Sequence, residues 1–97
     1  GRVEDALHEA AEVGTPVFAV ASVPDERKGE RLAVLHTLDE AALPPIVEKL
    51  AAAGLPNLFI PRLDSFVKVV RLPLLGAGKL DLRAIKQIAI ERLQRQG

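Results

Sequence analysis

The sequence predicts an α+β fold: a small three-stranded sheet with flanking helices, in the order α-β-β-α-β-α. Three windows place apolar residues at helical spacing, and three short runs are rich in β-branched and apolar residues. Glycine and proline fall between these segments, where the chain must turn. At 97 residues the chain has material for one modest core, and so for one domain spanning residues 1–97.

The first helix is expected from Val3 to Val13, with Val3, Ala6, Leu7, Ala10 and Ala11 on one face and Gly14 as its stop. Pro16 to Ala21 reads as a buried strand. Val23 to Glu30, with Pro24, Asp25 and Gly29, reads as a loop, and Arg31 to Thr37 as a second strand antiparallel to the first. Pro44 and Pro45 would break a helix interior but suit its first turn, where amide hydrogens lack partners. A helix is therefore expected from about Pro44 to Ala53, stopped by Gly54, with Leu43, Val47, Leu50 and Ala51 as its apolar stripe. Leu55 to Arg62 is a proline-bounded connection, too apolar for full exposure, that should cover one end of the core. Phe66 to Arg71 is the third strand. The last helix spans Leu82 to Leu93 with Asp81 as N-cap. Leu82, Ile85, Ile88, Ala89 and Leu93 should face inward, and Arg83, Lys86, Arg92 and Arg95 outward.

Composition narrows the function classes. The hydrophobic fraction is 48% and the charged fraction 27%, which fits a packed fold rather than disorder. Formal net charge is zero and only three residues are aromatic, against a nucleic-acid partner and against base-stacking platforms. Cysteine is absent, so disulfides and thiolate metal sites are excluded. No apolar run reaches membrane-spanning length. The chain begins at Gly1 and contains no methionine, so it is expected to be a fragment of a longer protein. Charge is uneven: residues 1–55 hold ten acids and five bases, residues 56–97 three acids and eight bases.

The stretch that draws attention lies between the third strand and the last helix, Leu72-Pro73-Leu74-Leu75-Gly76-Ala77-Gly78-Lys79-Leu80-Asp81, in the basic half. Gly76 and Gly78 free the backbone for positive φ or close approach to a ligand, and Lys79 offers a flexible ammonium to an anion. A helix-entry turn with a solvated lysine has the same local sequence. A P-loop is excluded, because Pro73 stands where its first glycine belongs and Leu80 where its Ser or Thr belongs.

Taken together and in order, Val23-Pro24-Asp25-Glu26, Gly29-Glu30, Leu72-Pro73 and Gly76-Ala77-Gly78-Lys79-Leu80-Asp81 resemble the C-terminal domain of adenylate-forming enzymes, the acyl-CoA synthetase and AMP-binding superfamily. The resemblance covers nearly the whole chain. Within it, Pro24 to Leu32, Leu55 to Arg62 and Leu72 to Lys79 look like the end of bifunctional acyl-ACP synthetase/2-acylglycerophosphoethanolamine acyltransferases; general acyl-CoA synthetases have a polar residue where this chain has Leu74-Leu75. The resemblance implies a mobile lid on an ATP-dependent fatty acyl ligase. It implies ATP and Mg2+ held mainly by an N-terminal adenylation domain of the same chain, and transfer of the acyl group to acyl carrier protein or CoA. It implies Lys79 as the catalytic lysine of adenylation, with Gly76, Gly78 and Lys79 approaching the nucleotide, and a cytoplasmic location or one at the cytoplasmic face of the inner membrane. The isolated fragment is expected to be inactive and to hold no cofactor or metal of its own. The hinge residue and the hairpin lining the thiol tunnel have no match here, so no thiol-binding residue is assigned.

The remaining polar residues carry weaker signals. Asp25, Glu26 and Glu30 read as a solvated turn, His8 as exposed helix surface and His36 as a strand residue. A self-standing α+β module that binds an anion or a protein through its basic half is the alternative function.

Overall fold

The computed structural model describes residues 2–11, 17–27 and 29–96. It has three helices, α1 (Arg2–Ala11), α2 (Leu43–Ala52) and α3 (Leu82–Gln96), and three strands, β1 (Phe18–Asp25), β2 (Gly29–His36) and β3 (Phe66–Lys68). Their order is the predicted α-β-β-α-β-α. The sheet order is β1-β2-β3. β1 and β2 form an antiparallel hairpin from Phe18↔His36 to Asp25↔Gly29, while β3 runs parallel to β2 over Val34↔Phe66 to His36↔Lys68.

Side-chain alternation along the strands divides the core into two layers. Phe18, Val34 and Phe66 face one side and pack with Leu7 of α1 and Leu43, Ile46 and Leu50 of α2. Ala19, Val23, Ala33, Leu35 and Val67 face the other and pack with Ile85, Ala89 and Leu93 of α3. Fully burying a side chain such as Phe18 or Leu50 stabilises the fold by about 1.5–3 kcal/mol.

Several expectations are corrected. The segment read as a loop, Val23 to Glu30, is mostly strand, and Glu26 and Arg27 turn. Gly29 has φ +82, which lets the chain re-enter the ladder from a left-handed residue. β3 stops at Lys68 rather than Arg71, because β2 ends at His36 and offers no further partner; the Val69 amide makes the last rung to the His36 carbonyl at 2.8 Å. In α2, Ile46 is buried and Ala51 exposed. The two prolines do sit in the first turn of α2. The connection Leu55 to Arg62 covers the core only in part: Leu55 and Ile60 pack on it, whereas Leu58 is 84% exposed. Leu82 shares the azimuth of Ala89 on α3 but, unlike Ala89, is 66% exposed. Glu12 to Pro16, which hold the expected end of α1, its Gly14 stop and the first residue of β1, lie outside the described residues.

His8 is half-buried and structural rather than surface decoration. The amides of Val17 and Phe18 donate to its Nε2 at 2.9 and 3.2 Å, so Nδ1 carries the hydrogen and donates to the Glu4 carbonyl at 2.8 Å. Glu4 Oε2 accepts the Val20 amide at 3.1 Å. Along β1 the even residues point their amides away from β2, as the Thr37 amide bonding the Val17 carbonyl requires. α1 thus satisfies the outer edge of β1 at Phe18 and Val20, and Pro24 has no amide hydrogen to offer there.

Candidate functional site

The loop between β3 and α3 is a closed arch. Leu72 anchors its near end in the core at 8% exposure. The arms pair through an antiparallel bridge between Leu74 and Leu80, and hydrogen bonds run from the Leu75 amide to the Lys79 carbonyl at 2.7 Å and from the Asp81 amide to the Pro73 carbonyl at 3.0 Å. The tip is one 3-10 turn, Gly76–Gly78, closed by the Gly78 amide on the Leu75 carbonyl at 3.1 Å. Gly78 has φ +78, a conformation that L side chains rarely adopt. Gly76 lies outside that region, and a Cβ there would meet nothing within 4 Å.

Asp81 fixes the far arm to the helix. Its carboxylate accepts the Ala84 amide at 3.1 Å and its carbonyl accepts the Ile85 amide at 3.0 Å, the geometry of an N-cap. Lys79 is therefore carried on a backbone pinned on both sides, in extended conformation (φ −81, ψ 147) and exposed. Among the described residues no acid pairs with its ammonium. From residue 66 to residue 90 there are five bases and one acid, and that acid, Asp81, is engaged at the helix terminus. The site is thus a projecting, locally positive arch with one flexible ammonium, suited to meet an anion outside the domain. Arg83, Lys86, Arg92 and Arg95 lie on the exposed face of α3 as expected.

Sequence reasoning did not anticipate the apolar surroundings of the arch. Leu74 is 59% exposed and Leu75 54%, and Val70 and Leu82 are exposed as well. The signal was present as the Leu74-Leu75 pair, apolar residues beside two glycines that no core can reach.

The other buried titratable group is His36, at the C-terminal end of β2. Its ring is fully buried, makes no hydrogen bond, and meets Phe66 edge-on at 6.0 Å. Burial holds its pKa below the ordinary value of 6.5 and Lys68 adds to this; Glu40, with Oε1 3.5 Å from Nε2, opposes it. Lys68 in turn pairs with Asp39 at 3.4 Å. Asp25, Glu26 and Glu30 line the hairpin end, where Glu30 accepts the Ser22 hydroxyl at 2.8 Å. Among the described residues no three His, Asp or Glu side chains converge as a metal site. No described helix is long and apolar enough to cross a membrane.

No family profile matches the sequence. Solved structures do match its fold. The amide bond synthetase McbA from Marinactinospora thermotolerans aligns over 90% of this chain and 17% of its own, with TM-score 0.67 and 26% identity. An acyl-CoA synthetase from Brucella canis aligns over 93% of this chain and 17% of its own, with TM-score 0.68 and 26% identity. An acyl-CoA synthetase (AMP-forming)/AMP-acid ligase II-like protein from Dyadobacter fermentans aligns over 91% of this chain and 24% of its own, with TM-score 0.69 and, at 18% identity, a likeness of fold alone. The chain spans at most a quarter of the length of these proteins. Its structural neighbours are adenylate-forming ligases, and its fold is that of one small part of such enzymes.

Proposed function

We propose that this chain is the C-terminal lid domain of an ATP-dependent fatty acyl ligase, and that Lys79 is its catalytic lysine. The observation that carries the reading is the unpaired, exposed ammonium of Lys79 on an arch braced by the Leu74–Leu80 bridge and the Asp81 cap, in a fold shared with adenylate-forming ligases. In adenylation a carboxylate oxygen attacks the α-phosphorus of ATP. A carbon–oxygen–phosphorus link forms, the bond to the β-phosphate breaks, and pyrophosphate leaves. The Lys79 ammonium would lie between the two anions, offset their repulsion and stabilise the charge that builds on the α-phosphate. Gly76 and Gly78, without side chains at the tip, leave room for that approach. A thiol, of acyl carrier protein or CoA, then attacks the acyl carbon and releases AMP.

Magnesium does not fit the described residues of this domain. No acidic cluster is present among them, and Asp81 is committed to the Ala84 amide. ATP with its Mg2+, and the fatty acid, belong in the proposal to the adenylation domain of the same chain. Acyl carrier protein as acceptor, a link to lysophospholipid acylation and a place at the cytoplasmic face of the inner membrane rest on the likeness of Pro24–Leu32, Leu55–Arg62 and Leu72–Lys79 to the bifunctional acyl-ACP synthetases.

The test is Lys79→Ala in the complete ligase, with the two half-reactions measured apart. Pyrophosphate release should fall by about a hundredfold or more, while thioester formation from supplied acyl-adenylate is largely retained. Equal loss in both half-reactions removes Lys79 from this role. Tight ATP binding by the 97-residue chain alone would instead support a self-standing anion-binding module.

A further inference from the structure

Among the described residues His36 is the titratable group that is fully buried, and the ligase reading leaves it unused. It closes β2. By strand alternation its ring enters the layer of Phe18, Val34 and Phe66, to which α1 and α2 contribute Leu7, Leu43, Ile46 and Leu50. Neither ring nitrogen makes a hydrogen bond. A neutral imidazole there leaves polar atoms unanswered; an imidazolium would leave a charge unanswered, which costs far more.

The charged groups at this end of the sheet do not remove that cost. Lys68, the register partner of His36 on β3, adds a like charge, and Asp39 on the turn into α2 is engaged with Lys68 at 3.4 Å. Glu40, next on that turn, holds Oε1 3.5 Å from Nε2, outside the reach of a charge-assisted bond at about 2.7–2.9 Å. Its side chain is 65% exposed, so water weakens its pull. β1 faces His36 with Phe18, and His8 of α1 packs on the Phe18 ring. The same residue fastens a short stretch of sheet. β3 pairs with β2 at three positions, and the Val69 amide on the His36 carbonyl is the last rung. On the β1 side the Thr37 amide reaches the Val17 carbonyl at a long 3.3 Å. Val70 follows β3 at 92% exposure. A short pairing with exposed flanks opens locally, without the rest of the fold.

We propose that His36 is an acid-operated gate at the root of the arch: taking up a proton, its ring leaves the core, and the rung to Val69 opens with it. Val69 stands just before Leu72, so the opening removes one of two fastenings on the near arm of the arch and leaves Leu72 as the other. In the open form the ring lies in water and takes a proton at about its ordinary 6.5, whereas the closed ring resists it. Acid therefore raises the population of the open form. That the gate governs the reach of Lys79 rests on the ligase reading; the opening itself does not.

The test is amide exchange of the 97-residue chain followed by NMR, with rates corrected for the intrinsic effect of pH. From pH 7.5 to pH 5, protection at Val69 should fall by about threefold to thirtyfold, the upper figure being that of a closed ring that never takes the proton. His36→Leu should abolish the fall. Glu40→Gln, which removes the opposing anion, should steepen it, and Lys68→Gln should flatten it; both side chains are exposed, so these variants keep the test if His36→Leu does not fold. Urea below the unfolding transition should leave exchange at Val69 unchanged while it speeds exchange at Ala21, in the middle of the β1–β2 ladder. Protection at Val69 that is independent of pH, or equally pH-dependent in His36→Leu, overturns the gate. So does a urea dependence at Val69 equal to that at Ala21, since the rung would then open only with the whole domain. Glu40→Gln and Lys68→Gln acting in the same direction overturn it too. Failure here leaves the Lys79 half-reaction test untouched.

Discussion

Replacing His8 with alanine isolates the joint between the first helix and the sheet. The imidazole accepts from two consecutive amides, Val17 and Phe18, and passes a hydrogen to the Glu4 carbonyl. Phe18 is completely buried, so its amide has no solvent to turn to when the ring is removed. An unsatisfied buried donor costs about 1–3 kcal/mol. Val17 is half-buried and regains part of its loss from water, and the edge contact of the ring with Phe18, 5.3 Å between centroids, is lost as well. The expected total is about 2–3 kcal/mol, equivalent to a fall in Tm of about 10 °C or more for a domain of this size. Two further variants locate the cause. Glutamine places its amide oxygen where Nε2 stood and should recover part of the loss; asparagine reaches only the Nδ1 position and should behave as alanine does. Urea unfolding followed by circular dichroism gives the free energies, and amide exchange at Phe18 reports the hydrogen bond itself. A His8→Ala variant within about 0.5 kcal/mol of the parent, or unchanged protection at Phe18, would refute the joint.

Other perturbations read other parts of the fold. Because burial lowers the His36 pKa, the unfolded chain takes up a proton more readily than the folded one, so stability is full above pH 6.5 and declines as pH falls from there toward the lowered folded value. Urea midpoints at pH 7.5 and pH 5 (about one unit above and one and a half units below 6.5) should differ more for the parent than for His36→Leu, and an unchanged difference would clear His36 of responsibility. Asp81→Ala removes the cap on the Ala84 amide and should cost about 1 kcal/mol by thermal melting. Gly78→Ala should cost about 1–2 kcal/mol for its left-handed backbone, whereas Gly76→Ala, with open space and an ordinary φ, should be neutral to within about 0.5 kcal/mol.

Much of this architecture is local and could be read from residue order. Proline at the start of α2, Asp81 before α3 and the apolar spacing of Ile85, Ala89 and Leu93 announce their elements without tertiary help. The arch was visible as a glycine-lysine loop between a strand and a helix, with its lysine outward. What escaped depends on distant partners. The parallel direction of β3 is set by a crossover of some thirty residues through α2, not by the three residues of the strand. Pro24, Asp25 and Gly29 look like loop residues, yet Pro24 fits an outer edge that needs no donor and Gly29 starts a strand in a conformation only glycine takes easily. His8 could not be recognised as an acceptor, since its donors lie nine and ten residues onward. Leu82 has the correct azimuth for the core, and azimuth alone does not tell whether anything in the fold covers that turn.

The capping of β1 by α1 reaches beyond stability. Take away the helix and the sheet keeps its shape at the hairpin but gains a bare margin, with the amides of Phe18 and Val20 left unanswered. Such a margin is a template for another copy of itself, and a chain without α1 would pair edge to edge with its neighbours into ribbons. The ten residues of α1 work as a selvedge, keeping a three-strand weave from being extended by its neighbours.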